Sequence, residues 1–506
     1  MPDSNPDWCK RRFLKTVSVT GLCAALPGIH PMPLLAGQGA TPQTAFASSF
    51  KNVPPSYGPT EVKFNRPLPD GLQGTLYRNG PALMQRGHTQ YQHWFDGDGM
   101  IHAFNIFRDK LVHHGKMIHT DRYLEEQAAG RFLRGGFGTG FTDSLAVTHP
   151  DDINVGNTSV LPLDDEILAL WEAGSAWRIN PQTLTTLGRK TFSKETDRLP
   201  FSAHPRYDPA GHIWNFGYMS GSGKLILYHL STSGKLHRTG VIDAPNADMV
   251  HDFAITEHHL IFVLTPVSFQ PGSDPAAAFA DHLRWNENGT THIVVIDKNN
   301  LQVTHRFELP SFFLFHLGNA WEDQKTIQIE VATAPDFNLL MEQISQATLG
   351  LPMGTAPAQP AAIQIELDTA TSRAGMKPLP TTGIDFPRFD QRFTGLPTQQ
   401  LFMLGRSPGM SEQIFGFNRV IAMDRTSESE NHYTYNDNTL AEEHIFVPEP
   451  ETRQGQGWLI GTGYDWHKGV TTVSVFNAQQ IQDGPVAMAT LPYSLPLGLH
   501  GQFVSL

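Results

Sequence analysis

The chain has 506 residues, 40% of them hydrophobic and only 17% charged, so it carries enough apolar side chain for a large core and is not a disordered chain. A net charge of −12, with no Lys/Arg run beyond the N-terminus, excludes a nucleic-acid footprint. The only cysteines are Cys9 and Cys23, which excludes a disulfide framework or a thiolate metal site in the folded body and leaves His, Asp and Glu as metal donors.

Residues 1–47 read as an export signal. Lys10-Arg11-Arg12-Phe13-Leu14-Lys15 precedes an apolar run from Thr16 to Leu26, and Ala45-Phe46-Ala47 offers a small-residue cleavage site. The cluster resembles a twin-arginine signal with Lys10 in the first arginine's place, which predicts a periplasmic protein; a basic tail on a cytoplasmic protein is the alternative. The apolar run is too short to span a membrane.

Residues 48–506 show no Ser/Gly linker, charge block or low-complexity segment, and read as one domain. The 45 glycines and 37 prolines, spread without a period, favour short strands joined by turns. Strand signals fall at Gly74–Arg78, His212–Phe216, Leu225–Leu230, Leu260–Leu264, His292–Ile296, Thr326–Val331, Gly457–Gly461 and Val470–Phe476. Turn sequences such as Asp208-Pro209-Ala210-Gly211 and Asn286-Glu287-Asn288-Gly289 separate them. The rhythm predicts an all-β propeller, although no repeat in the sequence sets the number of blades. Two segments read as helices instead: Asp274–Ala280, with an N-cap and Pro at the first helical position, and Asp336–Leu349, which ends at Gly350. Both suit ordinary packing against a core; a helical cap over one end of the propeller, its apolar face toward substrate or a membrane, is the functional reading.

Among 23 histidines, four stand in particular surroundings. His204 lies between Ala203 and Pro205, His251 precedes Asp252, His316 is flanked by Phe313, Phe315 and Trp321, and His500 sits between Gly498 and Gly501, where backbones can approach closely. A single histidine is more often a surface or hydrogen-bonded residue than a ligand. Their separations, however, are 47, 65 and 184 residues, and seven blades would take about 65 residues each. Consecutive ligands about one blade apart, with the last about three blades further on, can all face one axis. Four neutral imidazoles suit Fe(II) and leave two of six octahedral positions open, whereas zinc sites use Cys heavily or three protein ligands. Carboxylates should then accept the outer N–H of the ligating rings. Glu172 and Glu443 are candidates, with solvated surface carboxylates as the plain alternative.

Several stretches resemble the carotenoid cleavage oxygenases, the family that also holds apocarotenoid- and stilbene-cleaving dioxygenases. They are Leu72-Gln73-Gly74-Thr75-Leu76-Tyr77-Arg78-Asn79-Gly80-Pro81, His93-Trp94-Phe95-Asp96-Gly97-Asp98-Gly99-Met100-Ile101-His102 and, in order, the four histidine motifs. The resemblance covers about residues 50–506 and implies a seven-bladed β-propeller with an α-helical cap. It also implies an axial iron held by His204, His251, His316 and His500, backed by Glu172, Glu443 and a third carboxylate. Asp385-Phe386-Pro387-Arg388 resembles the segment carrying that third group, with Asp385 where the family has Glu. Being one methylene shorter, Asp385 is expected to reach its histidine through a water or a shifted backbone.

The implied reaction is scission of a conjugated C=C bond by O2, giving two carbonyl products. Protein acids and bases are not required, so the protein's part is positioning and tuning of the metal. The expected partners are O2 and an apolar polyene, with peripheral membrane contact through the cap. The 31 Phe suit an apolar tunnel, though a large core uses aromatics too. In the stilbene-cleaving branch a Tyr and a Lys meet the substrate hydroxyl; here residues 136–177 contain no Lys, and Met117 is aligned with that Tyr. An apocarotenoid or carotenoid is therefore favoured, a stilbene is second, and a non-oxidative isomerase or carrier of the polyene is the alternative class.

Overall fold

The computed structural model describes residues 40–506 except Asn52, Ser273, Pro275, Pro335 and 356–358. Its described residues form seven antiparallel blade sheets, six of four strands and one of five, and two further two-stranded ribbons. The five-stranded sheet is where the ring closes: Gly501–Ser505 at the C-terminus pairs with Gly74–Leu83, so the first blade takes its innermost strand from the end of the chain. The remaining six blades follow in sequence, each opening with its inner strand: Ser159–Pro162, Arg206–Tyr207, Ala254–Ile255, Phe313–Asp323, Ile384–Arg388 and Thr439–Pro448.

Blades stack face to face, so a middle strand is covered on both sides. Ile213–Tyr218 is buried at every position, and Phe216, Leu227, Phe253 and Phe262 fill the space between the third and fourth blades. Such strands read as apolar runs, and each of the eight predicted strands is found, with ends that differ by up to five residues. Outer strands such as Leu236–Asp243 alternate between buried and exposed instead.

Helix is scarce. Phe337–Leu349 forms as predicted: the Asp336 carboxylate accepts from Leu339 N at 2.8 Å, and Gly350 ends the helix in a left-handed conformation (φ 66°). It buries Phe337, Met341 and Ile344 against Phe313, Phe315 and Trp94, covering the axial end of the ring on which the histidines lie. The second predicted helix does not form. Around Ala276 and Ala277 the chain makes a turn on Asp274, followed by one 3-10 turn at Phe279–His282. Its backbone is drawn aside by another segment, since Phe279 N and Ala280 N donate to Gly136 O and Phe137 O. A helix not predicted, Asp121–Ala129, is capped by Thr120 and Gly130 and buries Arg122 and Glu126 as an ion pair.

The basic cluster and apolar run of the proposed signal lie outside the described residues. Its cleavage motif does not. Ala45–Ser48 is a short helix with Ala45 and Phe46 buried beside Trp94, and Ser48 Oγ meets the Tyr464 hydroxyl at 2.7 Å. Ala45 and Phe46 therefore pack against the body, and a boundary after Ala47 would fall within this short helix. Among the described residues no helix is long and apolar enough to cross a membrane.

Candidate metal centre and its cavity

Each of the seven blades sends one polar side chain toward the axis. His204 and His251 lie two and three residues before the inner strands of the third and fourth blades, His316 lies in the inner strand of the fifth, and His500 precedes the closing strand of the first. The other three blades supply carboxylates: Glu172 just beyond Ile167–Leu170 in the second, Asp385 in the sixth and Glu443 in the seventh. The blade steps between the histidines are thus one, one and three, as their spacing implied.

One nitrogen of each histidine lies within 4.8 Å of one nitrogen of all the others. His204 Nε2 is 2.9 Å from His251 Nε2, and His316 Nε2 is 3.1 Å from His500 Nε2. The opposite ring nitrogens are held from behind. His251 Nδ1 meets Glu172 Oε2 at 2.8 Å, His316 Nδ1 meets Asp385 Oδ1 at 2.7 Å, and His500 Nδ1 meets Glu443 Oε1 at 2.9 Å. A carboxylate accepts only, so each of these Nδ1 atoms carries the proton and each Nε2 presents a lone pair to the common point. Three fixed lone pairs and the fourth imidazole converging so closely repel unless a cation shares them; the donor set fits one metal ion.

Burial, then the neighbouring histidines, holds His204 well below the usual imidazole range. Burial takes His500 to about 4 despite Glu443. His316 is buried too, but the charge and hydrogen bond of Asp385 outweigh this and raise its pKa. Burial alone would lift Glu443, yet Arg388 and His500 bring it to about 2.

Backbone close approach places His500. A Cβ on Gly498 would come within 2.4 Å of Arg78 Nη2, and one on Gly501 within 2.4 Å of Tyr77 O. Asp385 reaches His316 directly, through a shifted backbone and not a water. The strand bulges between Asp385 and Arg388, and Phe386 takes φ 56°, left-handed for a residue with a side chain. The same turn lets Phe386 N donate to Asp385 Oδ1 at 2.7 Å and sets the Phe386 ring, tilted, 4.9 Å from that of His316.

Four residues were not assigned roles from the sequence. Arg388 donates to Glu443 Oε1 through Nε (2.9 Å) and Nη2 (2.6 Å). Tyr218 donates to Glu172. Asp252 binds Arg206 Nη2 with both oxygens (2.8 and 2.7 Å) and accepts from Leu317 N at 2.8 Å, tying the third, fourth and fifth blades together beneath the site. It lies 3.9 Å from His204 Nδ1, beyond a hydrogen bond, so among the four imidazoles His204 has no direct carboxylate. Asp252 and Arg388 stand inside quoted motifs, which was the available signal; Tyr218 and Arg206 had none.

Above the imidazoles lies a mainly apolar cavity of about 400 Å³, lined by Trp94, Phe95, Phe137, Phe315, Phe417 and Leu499 among others. Helix Phe337–Leu349 contributes Leu340, Gln343 and Ile344. Met117 is buried in the first blade against Ala82, Met100 and Tyr123 and is not among the lining residues, so its alignment with a substrate-contacting Tyr has no bearing on the cavity. Beneath the imidazoles a polar space of about 60 Å³ is bounded by Arg206, Asp252, Arg388 and Glu443.

A propeller that gathers four imidazoles, three of them backed by carboxylates, under a mainly apolar cavity defines a metal-dependent enzyme for an apolar small molecule. The chain belongs to the carotenoid cleavage oxygenase family: the family profile described as retinal pigment epithelial membrane protein matches residues 50–505. Apocarotenoid-15,15'-oxygenase of Synechocystis sp. is 30% identical, over 86% of this chain and 91% of its own. Isoeugenol monooxygenase of Pseudomonas nitroreducens is 26% identical, over 88% of this chain and 94% of its own. A solved structure of cobalt-substituted Synechocystis apocarotenoid oxygenase superposes with a TM-score of 0.82 at 25% identity, covering 92% of this chain and 99% of that one.

Proposed function

We propose that this protein is a non-haem iron(II) dioxygenase that cleaves a conjugated C=C bond of an apocarotenoid or carotenoid into two carbonyl products. The observation that carries the reading is the convergence of four imidazole nitrogens beneath an apolar cavity whose floor includes His251, His316 and His500. His204, His251, His316 and His500 would hold the iron, which when bound supplies the centre that activates O2.

The chain's own residues do the rest. Glu172, Asp385 and Glu443 keep the Nδ1 protons in place, fixing ring orientation and supplying the negative charge that the neutral ligands lack. Trp94, Phe95, Phe315 and Phe417 line the space over the site with apolar surface that orients a flat polyene and excludes water. Beyond the metal-backing Glu172 and Asp385, no carboxylate is found among the described residues lining this cavity, which suits a reaction needing no protein acid or base.

Iron-loaded protein should turn over an apocarotenal with O2 uptake and leave resveratrol unchanged. Cleavage of resveratrol alone would replace the substrate class, and conversion without O2 uptake would favour an isomerase. Export through the Lys10–Lys15 cluster is a separate proposal. Fractionation of cells expressing the full chain and its Arg11→Lys/Arg12→Lys variant tests it, unchanged location removing the signal.

A further inference from the structure

The cavity carries one feature that neither the metal nor the apolar lining uses. Arg406 is the only Lys or Arg among the described residues that line it. Its guanidinium is surrounded by backbone carbonyls: Nη1 donates to Ile414 O at 2.6 Å and Gly416 O at 3.3 Å, and Nη2 to Met410 O at 3.3 Å and to Ser411 O. Carbonyl dipoles solvate the cation but bring no negative charge, and no carboxylate lies within ion-pairing distance of it among the described residues. Burial lowers its pKa, with Glu412 opposing at longer range. A partly buried cation left without a counter-charge is costly unless a ligand supplies one.

Its place in the ring is equally telling. Val147, Pro150 and Met219 line the cavity from the second and third blades and the segments that lead into them, and Val147 and Met219 are 52% and 44% exposed. Arg406, Gly383 and Gly416 line it from the sixth blade, three blades on, nearly half a turn around the axis. The imidazoles lie between the two groups. A chain long enough to fill the cavity therefore crosses the site with one end beside Val147, Thr148, His149, Met219 and Ser220, where no Lys or Arg lines the cavity, and the other at Arg406.

We infer that Arg406 anchors a terminal oxygen of the substrate, a carboxylate or an aldehyde carbonyl, and so sets which double bond lies over the histidines. This rests on the polyene-cleaving reading above and narrows it to apocarotenoids, chains that already end in an oxygen function, over hydrocarbon carotenoids. The group is a positioning residue; it touches the substrate's end and not the reacting bond.

The test uses the iron-loaded full chain with three polyenes of equal length ending in a carboxylate, an aldehyde or a methyl group. A charge-assisted contact predicts that wild type has a KM about 10-fold or more lower for the carboxylate and the aldehyde than for the hydrocarbon. Arg406→Met should raise KM for the carboxylate and the aldehyde far more than for the hydrocarbon and scatter the cleavage position of the oxygenated chains; Arg406→Lys should restore part of the preference. No preference in wild type overturns the inference whatever the variants do. Equal losses on all three substrates in Arg406→Met and Arg406→Lys would mean a purely structural role for the 410–416 loop contacts and also overturn it. Cleavage of none of the three by wild type would overturn the parent reading and this one with it.

Discussion

Asp385 offers the cleanest way to test how the site is held. It makes two hydrogen bonds, to His316 Nδ1 and to Phe386 N, each 2.7 Å, and pairs with no Arg or Lys among the described residues. Glu443 by contrast also neutralises Arg388, so changing it disturbs folding as well as the metal. An Asp385→Ala substitution removes the acceptor of the His316 proton, a charge-assisted bond worth about 1.5–3 kcal/mol. At about 1.4 kcal/mol per decade this is about a 10- to 100-fold weaker metal Kd, the range found when outer carboxylates of metal-bound histidines are removed. Asp385→Asn keeps an acceptor oxygen but loses the charge, and should fall near the lower end. Asp385→Glu should not improve on wild type, because the bulge and the left-handed Phe386 already bring the shorter side chain into contact. The assay is chelator competition for iron(II) or cobalt(II), with thermal unfolding of the metal-free proteins as the control. Metal affinity of Asp385→Ala within twofold of wild type, with normal folding, would refute the reasoning.

Arg388→Met leaves Glu443 buried and without its cation, and should cost about 3–5 kcal/mol in urea unfolding, well above the effect of Asp385→Ala. Deleting residues 501–506 removes the strand that pairs Gly501–Ser505 with Gly74–Arg78 and should lower the unfolding midpoint and abolish metal binding together, as seen by calorimetry and metal analysis. Acidification should destabilise the metal-free protein between pH 6.5 and 4. Burial holds His93 and His102 at about 3 and His444 at about 4, so the unfolded chain takes up protons in this window that the folded chain does not. Asp96 and Asp98, raised by burial to about 6, act in the opposite sense but are fewer than the depressed imidazoles; a midpoint rising as pH falls from 6.5 to 4 would contradict this balance.

The parts of the fold legible in the sequence are those where one side chain pattern has one physical outcome. Strands covered on both faces, such as Ile213–Tyr218, announce themselves as apolar runs, and Asp336 with Gly350 marks both ends of a helix. The Asp274 segment misled because its Asp-Pro start is also a turn start, and only a distant partner, the Gly136–Phe137 backbone, decides between them. Ala45-Phe46-Ala47 is ambiguous in a similar way: small and apolar residues suit a cleavage site and a buried helix alike, and in the structure they form a short helix. The histidine spacing carried real geometric content, since blades one, three, four and five supply the four imidazoles whose nitrogens converge. What spacing cannot show is the layer behind the ligands. Tyr218 on Glu172 and Arg206 on Asp252 join residues of neighbouring blades, and the left-handed turn at Phe386 that shortens the reach of Asp385 follows from packing around His316 and His500.

The central claim is that the four-histidine centre uses O2 to split a polyene. Anaerobically prepared protein reconstituted with iron(II), mixed with an apocarotenal and a measured amount of O2, tests it in one reaction. The account predicts that one O2 disappears for each polyene cleaved, that two carbonyl fragments form, and that neither occurs in a His316→Ala protein. Fragments formed without O2 loss, or turnover undiminished in His316→Ala, would contradict it.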